Sequence, residues 1–360
     1  MFMARLKRAR KAERKNMSTT LSIKPKQVTK RLLVVLPERA RNVVTNRYGL
    51  GALPARMTLE AIGALYGITR ERVRQIENHA LLTIRKSDVF SKETTAFQEL
   101  KDFIESLGSI VTEEELLREI SNDPSTQNHI HLLLVLGDGF TKQKEDAEFK
   151  HRWYTDEKKA DIIHQVLRKL YKNLSNDDLI AESEIIVSFL NQLKGIDENS
   201  KNEQTAKRWL ALSKKIGCNS LGEWGVVTSP NIRVKGMRDL AYLSIRRHGS
   251  PMHFTEVAKA ITQLFGKKAH VATCHNELIK DGRFVLVGRG LYALAEWGYA
   301  GGVVRDVIRE ILKKHGQLTR KEIVDKVLKE RYVKENTVVV NLENEAYFKK
   351  DRNGKYSAVA

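Results

Sequence analysis

Four residues in the first quarter of the chain have side chains of the kinds that hydrogen-bond to base edges: Arg70, Glu71, Arg74 and Gln75. An arginine fork suits guanine, a Gln amide suits adenine, and a Glu carboxylate accepts from the cytosine amine. Their spacing puts them on one face at the start of a helix, the part of a recognition helix that enters a major groove. Thr69, Arg72, Arg85 and Lys86 fall where phosphate contacts are expected; such contacts position a protein on a duplex, whereas base contacts specify the sequence. The plainer alternative is an Arg-rich solvated helix face. A capped turn, a glycine break and a local excess of positive charge weigh against it.

The elements that must hold these residues read as a helix-turn-helix. Residues 58–66 and 69–86 form two helical stretches broken at Gly67. Leu59, Ile62 and Tyr66 share one side of the first helix, and Val73, Ile76 and Ala80 one side of the second. Ile68 plugs the turn. Burial of these residues against each other and against Val43 and Val44 leaves the opposite face of the second helix free. Thr69 caps that helix, and Glu71 in its first turn suits the helix dipole. Upstream, Pro37 and Gly49 bound a further helix through Val43, Val44 and Tyr48.

The segments Leu36-Pro-Glu-Arg-Ala-Arg-Asn-Val-Val-Thr-Asn-Arg-Tyr-Gly-Leu50, Thr58-Leu-Glu-Ala-Ile-Gly63 and Thr69-Arg-Glu-Arg-Val-Arg-Gln-Ile-Glu-Asn-His-Ala-Leu81 together resemble region 4 of the housekeeping bacterial sigma factors. The resemblance spans about residues 31–88. It implies a domain that reads the minus-35 promoter element and docks on the flap of the RNA polymerase beta subunit. Arg70, Glu71, Arg74 and Gln75 fall on the family's base-reading positions. No counterpart of the promoter-opening sigma segment precedes residue 31, so promoter melting is not expected.

Charge placement agrees with a nucleic-acid-binding end. The 360 residues carry a formal net charge of +19. Residues 1–90 hold 20 Lys and Arg against 6 Asp and Glu, and the rest of the chain 43 against 38. A field of this kind drives association by releasing counterions from phosphates. An apolar fraction of 41% and a charged fraction of 30% fit a folded core. The apolar run Ile130 to Leu136 is too short to span a bilayer and is interrupted by His131, and no secretory signal follows the basic start. A cytoplasmic, nucleoid-associated location is expected. Cys218 and Cys274 lack metal-ligand spacing and read as reduced thiols. His129, His131, His151 and Asp138 read as surface groups rather than zinc ligands. Asp156-Glu157-Lys158-Lys159 reads as a helix start, and Gly288-Arg289-Gly290 lies in a hairpin rather than a phosphate loop. No catalytic constellation and no cofactor are expected, and the protein reads as a non-enzyme.

After about residue 90 the chain repeats loosely: a helix, a second helix, commonly Thr- or Ser-capped, a third helix, and a short β segment with an aromatic ending at Trp153, Trp224, Trp297 and Tyr356. Two endings share Glu-Trp-Gly, at residues 223–225 and 296–298. The predicted fold is mainly α with small β wings, an N-terminal helix-turn-helix followed by a series of winged helix-turn-helix domains. The expected parts are a flexible basic arm over 1–30, the helix-turn-helix over 31–90, and winged-helix-like units over 91–160, 161–235, 236–300 and 301–360. In the last, Thr319 and Glu322 form a capping box, residues 333–345 the third helix, and Asn353-Gly354 a type I′ hairpin turn. Arg289, Lys349, Lys350, Arg352 and Lys355 are the expected wing contacts. Met237-Arg-Asp-Leu-Ala-Tyr242, Leu278-Ile-Lys-Asp-Gly-Arg-Phe-Val285 and Gly290-Leu-Tyr-Ala-Leu-Ala-Glu-Trp297 resemble the HARE-type winged helix at the start of the RNA polymerase delta subunit, which implies a polymerase-facing or DNA-facing module over 237–299.

The reading is a transcription regulator with double-stranded DNA and RNA polymerase, at the beta flap or core, as partners and with no membrane role. Two rivals stand beside it: a polymerase-binding adaptor without sequence readout, and a DNA-binding subunit of a restriction or modification system. The sequence leaves the oligomeric state open.

Overall fold

The computed structural model describes residues 21–299 and 302–359. The chain divides into two compact units, Met1–Ser175 with Ile180–Gly217, and Asn176–Leu179 with Cys218–Ala360.

The first unit opens with four helices, α1 (Pro25–Leu33), α2 (Glu38–Tyr48), α3 (Leu59–Tyr66) and α4 (Arg70–Arg85). Residues 1–20 of the expected basic arm lie outside the described residues. Its end is corrected: residues 25–30 belong to α1, because Val28, Thr29, Leu32 and Leu33 are buried and Pro25 suits the first helical turn. After the short α5 (Asp88–Lys92) come α6 (Thr94–Ser106), β1 (Ile110–Thr112), α7 (Glu113–Ile120), α8 (Pro124–Leu136), β2 (Thr141–Gln143) and β3 (Arg152–Tyr154). The three strands form an antiparallel sheet with β3 in the middle, pairing Val111 and Lys142 with Trp153. Thr112 caps α7 by accepting from Glu115 N, and Asp123 caps α8. The unit continues with α9 (Glu157–Lys172), β4 (Ile180–Ala181), α10 (Glu182–Gln192) and α11 (Glu203–Leu210), and it ends within β5 (Ile216–Cys218).

One buried cluster crosses residue 90. Leu32, Val44 and Ile84 of the opening helices share it with Leu100, Ile104, Leu133 and Trp153. Each such fully buried aliphatic side chain stabilises the fold by about 1.5–3 kcal/mol. Helix α8 is its centre: Asn128 to Leu134 and Leu136 are buried on all sides, as expected of a helix sandwiched between two layers. His129 and His131, expected at the surface, are therefore buried. Among the described residues no group of three His, Cys, Asp or Glu side chains could hold a metal ion.

The second unit holds β6 (Glu223–Val226) and then two winged helices. One comprises α12 (Met237–His248), β7 (Met252–His253), α13 (Phe254–Phe265), α14 (Val271–Lys280), β8 (Phe284–Gly288) and β9 (Leu291–Leu294). The other comprises α15 (Val304–His315), β10 (Leu318–Thr319), α16 (Arg320–Glu330), α17 (Glu335–Leu342), β11 (Phe348–Lys350) and β12 (Lys355–Ala358). Each sheet again places its last strand between the first two. Thr319 and Glu322 make the predicted capping box. The expected third helix over 333–345 shortens to α17, with Val338, Val339 and Leu342 buried.

The Asn353-Gly354 turn is corrected. A type I′ turn needs positive φ at both central residues, yet only Gly354 has it, at 78°. Asp351 organises the turn instead: its carbonyl accepts from Gly354 N, and its carboxylate from Asn353 N and Lys355 N at 2.9 and 2.8 Å. The loop is a type I turn ended by a left-handed glycine, which widens the hairpin tip.

Candidate nucleic-acid interface

Backbone chemistry sets the geometry of α3 and α4. The Thr58 hydroxyl accepts from Ala61 N, and the Thr69 hydroxyl from Arg72 N at 3.2 Å, so each helix starts with a satisfied donor. Gly67 ends α3 in the left-handed region at φ 63°. Gly63 is required by packing, since a Cβ there would stand 2.6 Å from the Ile68 carbonyl. Val43, Ile62 and Val73 form the fully buried centre, with Leu59, Tyr66, Ile68 and Ile76 against it. Val44 and Ala80, expected in the same cluster, turn to the larger core shared with α8.

A second set of contacts fixes the pitch of α4 against α2. Glu77, nearly buried, lies 3.5 Å from the Arg47 guanidinium. Burial and the Glu77 carboxylate push the Tyr48 phenol well above its ordinary range, so it stays a neutral donor. These groups escaped the sequence reading; Glu77 has the spacing of a helix-face acid, and only the fold places Arg47 and Tyr48 beside it.

The outer face of α4 presents all four expected base-reading residues, each already engaged by a neighbouring side chain. Arg74 grips Glu71 with Nε and a terminal nitrogen at 2.9 and 2.6 Å. That contact raises the Arg74 pKa, and with its neighbours lowers that of Glu71. Arg72 donates to the Gln75 Oε1 at 3.1 Å. Arg70 reaches across the turn to Glu60 of α3 at 3.0 Å, a partner that nothing in the spacing singled out. All of these pairs are exposed, where water and salt compete and the net gain is small. An incoming base or phosphate can therefore exchange with them cheaply.

The expected phosphate set divides. Thr69 sits at the helix start with its hydroxyl oxygen used as the cap, Arg72 lies on the outer face, and Lys86 is exposed at the end of α4. Arg85 is exposed as well, but it is already engaged within the fold. Its guanidinium donates to the Leu136 and Val135 carbonyls at 3.0 and 2.7 Å, satisfying the end of α8 and complementing its dipole.

In the second unit, Arg289 is exposed in the β8–β9 hairpin, and Lys349, Lys350, Arg352 and Lys355 are exposed around the last turn. None of these five makes an ion pair within 4 Å among the described residues. Lys350 lies over the Tyr356 ring at 5.8 Å.

These features define a packed, capped helix-turn-helix with a polar outer face, followed by winged helices. Residues 32–86 match the family described as Sigma-70, region 4. Over 74 residues the chain is 42% identical to RNA polymerase sigma factor SigA of Bacillus sp, across 21% of this chain and 18% of that protein. It is 40% identical over 74 residues to SigA of Listeria monocytogenes, with the same coverage. Over 51 residues it is 45% identical to RNA polymerase principal sigma factor HrdD of Streptomyces viridifaciens, 14% of this chain and 15% of that one. The chain thus spans under a fifth of the length of these curated relatives. Among the described residues no helix is long and apolar enough to cross a membrane.

Proposed function

We propose that the chain is a DNA-binding transcription regulator that reads a promoter-like, minus-35-like duplex through α4 and acts with bacterial RNA polymerase in the cytoplasm, at the nucleoid. The observation that carries this reading is the outer face of α4. Arg70, Glu71, Arg74 and Gln75 are together, exposed and held only by exchangeable surface pairs, within the segment that matches Sigma-70 region 4. Lys86, Arg72 and the terminal wing add phosphate contacts. The HARE-like module over 237–299 supplies a further DNA or polymerase contact.

One observation bears on the adaptor reading. The apolar back of the opening helices, including Leu32, Leu36, Val44 and Ile84, is buried in one cluster with the chain's own α8 and is flanked by α5. An adaptor docking on that back would have to displace a buried layer, whereas the polar outer face is open. Selection of bound duplexes from a random pool, with and without RNA polymerase, tests the proposal. A shared motif recovered without polymerase supports direct readout; no enrichment in either arm contradicts it.

A further inference from the structure

Arg331 is a buried cation without a matching anion. It is 3% exposed, and its terminal nitrogens donate to the main-chain carbonyls of Leu286 and Gly302. Its Nε has no hydrogen-bond partner, and among the described residues no carboxylate lies within 4 Å of its guanidinium. Glu330 and Asp306 favour its charge without touching it, and Asp306 accepts from Val303 N at 3.1 Å. A buried guanidinium left this way is costly unless an anion completes it.

The residue lines a cavity of about 670 Å³ within the second unit. Two further cations, Arg289 and Lys334, line the cavity, and so does Thr337 near the start of α17. That helix has no side-chain cap; Thr337 N bonds the Lys334 carbonyl at 2.9 Å, which leaves the N–H groups of Glu335 and Asn336 in its first turn for an acceptor. The remaining wall is apolar, with Leu286, Val304 and Tyr332 among it. Cationic groups at one site, a helix N-terminus and an apolar wall of this volume fit a small ligand with an apolar body and an acidic head.

We propose that this cavity binds a small organic anion, an aromatic or branched body bearing a carboxylate or phosphate that pairs with Arg331, Arg289 and Lys334. The site joins the last two winged helices: Tyr332 N donates to the Val287 carbonyl at 2.9 Å, and Arg331 ties to Leu286 and Gly302. Occupancy therefore stiffens the junction between those modules. The proposal is independent of duplex readout by α4.

Calorimetric titration and melting of the full chain with sodium benzoate and with phenyl phosphate test it, with phenol and inorganic phosphate as controls. One or both aromatic anions bind saturably at one site, raise the melting temperature and slow amide exchange over residues 331–337. Which of the two binds names the acidic group. Phenol and inorganic phosphate bind at least about tenfold more weakly, lacking the head or the body. The double variant Arg289→Glu, Lys334→Glu changes exposed residues, melts like the parent without ligand, and loses at least about tenfold in affinity. Absence of saturable binding by either anion, equal binding of phenol, or undiminished binding by the double variant would overturn the proposal.

Discussion

Arg74 holds Glu71 by two N–H···O bonds on the outer face of α4, at two positions where base-reading residues are expected. In the free protein, Glu71 therefore restrains the Arg74 guanidinium. Replacing Glu71 by Ala releases the Arg74 fork to any phosphate. Affinity for random duplexes should rise, the ratio of specific to random affinity should fall, and the melting temperature should stay where it was, because exposed pairs contribute little. Competition binding on a selected and a scrambled duplex measures both affinities.

Arg85 and Lys86 are adjacent and are expected to behave oppositely. Arg85→Ala uncovers two carbonyls at the end of α8 and should destabilise the first unit by about 1–3 kcal/mol. It should leave the salt dependence of DNA binding unchanged. Lys86→Ala should leave stability unchanged and reduce the slope of log affinity on log salt by about 0.9, the contribution of one phosphate. Denaturant melts and a salt series separate the two.

His164 makes the fold sensitive to acid. It is buried and accepts from Arg152 Nε at 2.9 Å. Burial first, then the Arg152 and Arg168 charges, push its pKa down from 6.5 to about 4, against the weaker pull of Asp161 and Asp146. The unfolded chain thus takes up this proton at higher pH than the folded one. The stabilisation is complete above about pH 6.5, is lost as pH falls toward 4, and amounts to about 3 kcal/mol in all. His164→Gln retains an acceptor for Arg152 and should flatten stability across that window in urea melts. A parent stability independent of pH between 6.5 and 4 would contradict the assignment.

The terminal wing offers a further check. Lys349, Lys350, Arg352 and Lys355 are exposed around a turn held by Asp351 and Gly354. Changing the four to Ser leaves those turn bonds intact. DNA affinity should fall at unchanged melting temperature, whereas full affinity would remove the wing from the mechanism.

What the sequence made legible was local. Gly67 and Thr69 announce the break between α3 and α4 through a left-handed stop and a cap seen where expected, and Thr58 adds a cap of the same kind at the start of α3. Thr319 and Glu322 do the same for α16. The illegible features depend on partners distant in the chain. Arg85 looks like a free cation until α8, some fifty residues on, brings the Leu136 carbonyl to it. His129 and His131 look like surface residues until α8 is seen between two layers. Asn353-Gly354 misled because the strands pair Lys350 with Tyr356, leaving room for a longer loop than a two-residue turn. The pairing of Arg70 with Glu60 likewise follows from the crossing of two helices rather than from spacing on one.

The measurement that bears most directly on the central claim is the affinity of Arg74→Ala and Gln75→Ala for a selected duplex and for a random one, at one fixed salt concentration. Readout by α4 predicts that each variant weakens the selected complex by roughly one to two orders of magnitude and the random complex far less, since base contacts discriminate and phosphate contacts do not. Equal losses on the two duplexes, or no loss on either, would show that the face carrying Arg70, Glu71, Arg74 and Gln75 does not read sequence.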